Sequence, residues 1–206
     1  MCGRFYIRKS SEIQPYIDKA AKSSLTSPMT IALSRPLRIE GEIRPTDIVS
    51  VIAPSKSGRE AVFPMVWGFS IAKTTNPIVN ARVETVKDRD LFKDSWAHRR
   101  CIIPCSWYYE WEHLIGNAGQ KKNGDKYMIQ PRGSSMTWLA GLYRIEDGLP
   151  VFTVLTKEPT DELRRIHDRM PLILPQDLID DWIRPDTNPK DLLQYAVSDL
   201  VVEKAG

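Results

Sequence analysis

Cys101-Ile102-Ile103-Pro104 and, after two intervening residues, Trp107-Tyr108-Tyr109-Glu110-Trp111-Glu112 decide the reading of the fold. Both runs are rich in β-branched and aromatic side chains, which suit a pleated, half-buried surface. Outward from them, residues 127–130, 136–145 and 151–155 read as further strands. Residues 47–53 and 61–69 read as two earlier strands separated by a polar turn at 55–60. Residues 116–124, with their Gly, Asn and Lys, read as a hairpin loop. Helical signals lie towards the two ends of the chain. Ser10-Ser11-Glu12 opens a helix to about Lys22, with Ile13, Ile17, Ala20 and Ala21 at helical spacing and Pro15 near the first turn. A second helix over 88–100 sets Leu91, Phe92 and Trp96 on one face, and 159–166, 175–183 and 189–196 each begin near a Pro. Between the first helix and the strands, residues 23–38 carry Pro28 and Pro36 and read as an extended loop. Strands in the middle and helices at the ends, without alternation, predict an α+β fold in one domain over 1–206.

Composition bounds the function. The chain has 206 residues, 42% of them hydrophobic, and six Trp, enough for one substantial core. The formal charge is only +3, so an anionic partner must be met by a local patch. No apolar run approaches the ~18 residues of a membrane span, and no signal peptide precedes Cys2. Three cysteines, Cys2, Cys101 and Cys105, are too few for a disulfide framework. A reducing cytoplasm is the expected setting. Cys101 and Cys105 lack companions at zinc-ligand spacing and read as buried thiols. No phosphate-cradling glycine loop and no dinucleotide fingerprint is present, so neither a metal nor a cofactor is expected.

Chemistry concentrates first at Met1-Cys2-Gly3-Arg4-Phe5. Once Met1 is removed, Cys2 carries an α-amine and a thiol on adjacent carbons. The amine, of ordinary pKa ~8, condenses with an aldehyde to an imine, and the thiol closes on the imine carbon to a thiazolidine. Closure is intramolecular and therefore favoured. Gly3 permits close backbone approach, Arg4 can fork onto an anion, and Phe5 can anchor the segment. The other reading of this start is an ordinary frayed terminus.

Three further constellations stand out. Asn80-Ala81-Arg82 offers an amide and a guanidinium for a polar, anionic substrate, or else a turn residue and a solvated charge. In a strand, Tyr108, Glu110 and Glu112 share one face. A carboxyl desolvated there becomes a proton donor near neutrality, whereas one on the exposed face does nothing. Ile166-His167-Asp168-Arg169-Met170-Pro171 holds a His that neighbours could tune, although an isolated His is more often structural. His98 and His113 take that structural reading.

Together these segments, with Pro64-Met65-Val66-Trp67-Gly68-Phe69, Asn80 through Thr85, and Ile103-Pro104 through Trp111, resemble in order the SOS response-associated peptidase (SRAP) family. The similarity runs from residue 2 to about 174, with an echo at Tyr195-Ala196-Val197-Ser198. It implies a barrel-like, mainly antiparallel sheet flanked by helices. It also implies a role in the DNA damage response: removal of Met1, then capture of the ring-opened aldehyde of an abasic site in single-stranded DNA by Cys2, with autopeptidase and lyase-like activity alongside. By position, the resemblance makes Cys2 the nucleophile, Asn80 a substrate-holding amide, Glu110 a proton shuttle and His167 an acid/base. Gly3, Arg4 and Arg82 become DNA contacts, and Trp67 a surface for bases. A monomer acting on abasic single-stranded DNA is expected.

The chain departs from the family pattern at Glu42-Ile43-Arg44-Pro45, where an acid stands near the presumed DNA groove, and at Cys105-Ser106-Trp107. The C-terminal stretch after Ser198 is also short. Two other classes fit parts of the sequence. An N-terminal-cysteine amidohydrolase of the glutamine amidotransferase kind would share Met-Cys-Gly but need an oxyanion hole and a glutamine pocket. A non-catalytic single-stranded DNA-binding module would use the Arg and Trp residues and leave Cys2 idle.

Overall fold

The computed structural model describes residues 2–71, 74–115 and 121–205. Its strands are β1 (Arg4–Ile7), β2 (Gly41–Ile43), β3 (Ile48–Pro54), β4 (Glu60–Trp67), β5 (Phe69–Ile71), β6 (Thr74–Ile78) and β7 (Asn80–Arg82). They continue with β8 (Arg100–Cys105), β9 (Trp107–Ile115), β10 (Lys121–Pro131), β11 (Thr137–Glu146), β12 (Leu149–Lys157), β13 (Met170–Pro171) and β14 (Leu200–Lys204). The helices are α1 (Gln14–Ala21), α2 (Thr26–Leu33), α3 (Lys93–His98), α4 (Asp161–Arg164), α5 (Ile179–Ile183) and α6 (Pro189–Leu192). The fold is α+β. Among the described residues no helix is long and apolar enough to cross a membrane.

β8, β3, β4, β12 and β11 pair in that order, and β11 returns to β8, so the ring closes into a barrel. All its ladders are antiparallel except β12 on β4, which runs parallel with Val151 opposite Val66. Closure removes the free edges that an open sheet would expose. β8 is buried at every residue, because the barrel interior takes one face and the second sheet and helices cover the other. That explains why, beyond Arg100, it reads as a continuous apolar run from Cys101 to Cys105 instead of alternating. β7 and β13 extend this sheet from β12.

A second, wholly antiparallel sheet runs β14-β10-β9-β1-β2. β1 lies between β9 and β2 with Phe5 opposite Tyr108 and Ile43, all three fully buried. The same pleat turns Arg4 and Tyr6 to the outer face. The first residues of the chain are thus a central strand held on both edges.

Several expectations are corrected. The loop foreseen over 23–38 contains α2, since Pro28 falls in the first turn, where its missing N–H is harmless. The helix foreseen over 88–100 divides into a 3-10 turn at Val86–Asp88 and the short α3. The final helices are likewise shorter, α4 and α6 having four residues each. The strand foreseen over 61–69 breaks at Gly68, whose φ of +122° only Gly adopts readily and where a Cβ would come within 2.6 Å of Pro77. Of the hairpin loop foreseen over 116–124, residues 116–120 lie outside the described residues and Lys121–Gly124 belong to β10. β1, β2, β6, β7, β13 and β14 have no counterpart among the strands foreseen.

Arg100 ties the C-terminal segment to the barrel. It is 1% exposed and donates to the carbonyls of Trp182 (2.7 Å), Trp96 and Ala97 (2.9 Å each) and Thr187 (2.9 Å), and also to that of Arg184. Trp182 answers by donating Nε1–H to the Cys101 carbonyl at 3.0 Å. Burial depresses the Arg100 pKa to about 10, so the group remains charged at neutrality. Replacing it by Leu strands several buried carbonyls, each costing roughly 1–3 kcal/mol. Arg100→Leu is therefore expected to lower unfolding free energy by at least about 3 kcal/mol. An unchanged urea midpoint would refute this role.

Candidate active site around Cys2

Cys2 lies at the threshold of β1, fully buried, with its thiol 3.8 Å from the Arg4 carbonyl. Its own carbonyl accepts from Asn80 Nδ2 at 2.9 Å. Asn80 reaches that carbonyl because β7 is fixed by parallel pairing to β12, Asn80 opposite Val154. The amide's Oδ1 is buried and has no hydrogen-bond partner among the described residues. Burial, seconded by the Glu110 charge, pushes the Cys2 thiol well above its ordinary value. Burial does the same to Cys101 and Cys105, which are inert core thiols.

Glu110 follows from the register of β9. Tyr108 and Glu110 point inward, and Glu110 is 4% exposed. The exposed-face alternative is thereby excluded. Desolvation lifts its carboxyl to about pKa 7, so it can both donate and accept a proton near neutrality.

His167 is 5% exposed and approaches from the turn between α4 and β13. Its Nδ1 receives the Arg169 backbone N–H at 3.0 Å and lies 2.8 Å from Asp168 Oδ1. A donor and a carboxylate at one ring nitrogen suit the neutral and the protonated ring in turn. The turn is held from behind: Arg169 is buried and its Nη2 donates to Glu84 Oε2 (2.7 Å), Glu84 Oε1 (2.9 Å) and the Thr156 carbonyl (2.7 Å). The ring of His113 lies 3.9 Å from that of His167. With Asp168 the two histidines bring three ligand-capable atoms within 4.8 Å of one another, the one group among the described residues with the makings of a metal site.

Gly3, Arg4, Glu110, Trp111, His113, Asn123 and His167 line one cleft of about 310 Å³. Asn80 and Arg82 line a neighbouring cleft of about 360 Å³ with Thr85 and Arg89. The structure thus brings Cys2, Gly3, Arg4, Asn80, Glu110 and His167 together and sets exposed Arg82 two residues along the strand from Asn80. Trp67 requires correction. It is fully buried, stacked on Phe152 and tilted against Phe5, with Nε1 donating to the Val79 carbonyl. It presents no face to a base and instead supports β1 from beneath.

The sequence marked Glu42 only as an acid near the presumed DNA groove, His113 as structural and Arg169 as a neighbour able to tune His167; the ion pairs of Glu42, the His113–His167 contact and the Glu84–Arg169 pair were not foreseen. Glu42 gathers Lys126 (2.6 Å), Arg4 (3.3 Å) and Arg44 (3.4 Å). Partial burial opposes ionisation, but the Lys126 hydrogen bond and the surrounding cations hold its pKa below the ordinary value. Nothing local in the sequence announces these contacts. Glu42 is 38 residues from Arg4 and 84 from Lys126.

The molecule is thus a closed mixed barrel carrying a second sheet, with Cys2 buried at the start of β1 within reach of the Glu110 charge. The family profile described as SOS response associated peptidase (SRAP) matches residues 1–204, and the chain belongs to that family. Among curated proteins it is 34% identical over 122 residues to the abasic site processing protein YoaM of Bacillus subtilis, covering 57% of this chain and only 52% of that protein. It is 29% identical over 172 residues to YoqW, of the same description and organism, covering 75% and 74%. Among solved structures, a phage-related protein of Bordetella bronchiseptica superposes with TM-score 0.71 at 21% identity, covering 99% of this chain and 94% of that one. A protein of Bacteroides thetaiotaomicron gives 0.72 at 17% identity, covering 100% and 92%. These two likenesses show the fold.

The raised pKa of Glu110 has a thermodynamic consequence. The unfolded carboxyl ionises near pH 4.5, whereas the folded one holds its proton to about 7. The folded state therefore binds the extra proton in this window, and stability falls as pH rises through it. Relative to Glu110→Gln, the wild type should lose about 3 kcal/mol between those two values and then stay level. Parallel curves for the two proteins in denaturant titrations across pH would overturn the assignment.

Proposed function

We propose that the protein captures the ring-opened aldehyde of an abasic site in single-stranded DNA through Cys2, once Met1 has been removed. The observation that carries this reading is that Glu110 and His167 share one cleft with Gly3 and Arg4, while Cys2, the residue before Gly3, lies buried just behind it within reach of the Glu110 charge. The names of the relatives, abasic site processing proteins, support the substrate.

In this reading the freed Cys2 amine attacks the aldehyde carbon, and a C–N bond forms as the carbonyl oxygen takes a proton. The carbinolamine then loses water to give an imine, with Glu110 or His167 delivering the proton to the departing oxygen. The Cys2 sulfur adds to the imine carbon, its proton passes through Glu110 to nitrogen, and a thiazolidine results. The balance is aldehyde plus aminothiol giving thiazolidine plus water. Burial keeps the thiol protonated until the imine carbon stands beside it, which protects it from stray oxidation. Asn80 fixes the Cys2 carbonyl through Nδ2, and its Oδ1 is placed to accept from a sugar hydroxyl. Arg4 and Arg82 are the phosphate contacts. Glu84 and Arg169 are positioning residues for His167.

The glutamine amidotransferase-like alternative finds less support. Its chemistry needs paired donors for an oxyanion, whereas the Asn80 amide next to Cys2 is already given to the Cys2 carbonyl and the other nearby group is the Glu110 carboxyl.

Glu110→Gln and His167→Ala are each expected to slow adduct formation by about 10²–10⁴ and to reach the same product. Cys2→Ser should stop at a labile imine, because a hydroxyl closes the ring poorly. The check is a time course with abasic single-stranded DNA, with and without borohydride, read by denaturing gel and intact mass. A stable adduct from Cys2→Ala, or from a protein that retains Met1, would defeat the proposal.

A further inference from the structure

The outer face of the second sheet carries groups that the chemistry at Cys2 does not use. Tyr6 on β1 and Trp107 on β9 are paired neighbours whose rings stack at 4.5 Å with planes 3° apart. Tyr109 stands edge-on to both, at 6.4 Å from each. Tyr6 and Trp107 are only half-buried. Cations lie over these rings: the Arg8 guanidinium 5.4 Å from the Trp107 centroid, and Lys126 Nζ 3.8 Å from Tyr109 and 5.2 Å from Trp111. A cation held over a ring by its quadrupole keeps its N–H donors for another partner. Among the described residues no carboxylate comes within ion-pair distance of Arg8, although its charge helps to lower the Glu12 pKa.

We propose that this face is a subsite for the single strand flanking the captured nucleotide, with bases packing on the Tyr6–Trp107–Tyr109 cluster and phosphates on Arg8 and Lys126. Three observations select nucleic acid as the occupant. Aromatic rings interleaved with cations are what a single strand needs, a stacking surface for bases and donors for its backbone. The face is continuous with the cleft, since Arg4 and Trp111 line the cleft while Arg4 pairs with Tyr109 and Trp111 with Lys126. Cations also outnumber acids here: Arg4, Arg44 and Lys126 surround the one carboxylate of Glu42. From Arg4 to Arg8 the strand rises about 13 Å, room for a short run of nucleotides.

The direction of the track rests on the reading of the Cys2 cleft, but its existence can be tested without that chemistry. The first arm measures binding of undamaged oligo-dT of about twelve nucleotides by fluorescence anisotropy across a salt series. Arg8→Gln, an exposed change that spares the core, should weaken binding several-fold and flatten the log–log salt slope by about 0.7. Trp107→Ser should weaken it about tenfold with the slope kept, because stacking carries no counterion release. The second arm compares capture of a long abasic strand with capture of a trinucleotide centred on the abasic site. Both variants should capture the long strand more weakly than wild type at limiting DNA and the trinucleotide equally well. Unchanged oligo-dT affinity and slope in both variants would overturn the subsite. Failure of the wild type to capture either abasic DNA would overturn the Cys2 reading and leave the first arm to decide this one.

Discussion

The antiparallel pairing of β1 with β9 is the contact on which the rest depends. Its register sets Phe5 against Tyr108 inside and Arg4 against Tyr109 outside. Four residues of strand would be too little to hold a chain terminus alone. Here β2 covers the other edge, the Ser106 N–H donates to the Tyr6 carbonyl at 2.8 Å, and Ser106 Oγ accepts the Arg8 N–H at 2.9 Å. Phe5 then buries its ring against Trp67. A one-residue slip would turn Phe5 to solvent and Arg4 into the core, so the hydrophobic cost fixes the register. With register fixed, Cys2 is delivered to the same place in every folded molecule.

The barrel gives that strand something rigid to meet. Asn80 comes from β7, a short parallel appendage of β12, and His167 from the turn leading to β13, which pairs with the same strand. β12 is therefore the common support of the strand that carries Asn80 to the Cys2 carbonyl and of the turn that carries His167 to the adjoining cleft. Arg169 and Glu84 lock the His167 turn to the β7 side, and Arg169 also bonds to Thr156 of β12. A reactive group placed by strands and a buried ion pair is held more tightly than one on a free loop.

Electrostatically, the region is divided by the pleat. The inner side of β9 is dry, and there a carboxyl near pKa 7 sits with a thiol raised by the same desolvation. The outer side is wet, ringed by Arg4, Arg8, Arg44 and Lys126 around a single acid, Glu42. In the proposed reaction, proton transfer falls on the first side and phosphate attraction on the second, where charges stay solvated and salt-sensitive. Alternation along one strand produces both environments a few ångströms apart.

Much of this was legible in the residues. Long strands with strong β preference, β3, β4, β8, β9, β11 and β12, declare themselves because their side chains are selected for a pleated interior. Order of motifs marked Cys2, Asn80, Glu110 and His167, since each chemistry needs a particular functional group whatever surrounds it. What remained hidden was set by partners distant in sequence. β1, β2 and β14 are strands only because neighbours supply their hydrogen bonds, and α2 contradicted a proline-rich segment that looked extended. Trp67 looked like a recognition surface, because a sequence shows that a residue is aromatic and not which side of a barrel wall it faces. Whether Glu110 met water or the core was likewise undecidable from alternation, which fixes two faces but does not say which is buried. Residue identity determined which functional groups this chain offers; tertiary packing alone decided their burial and proximity, because those depend on partners distant in sequence.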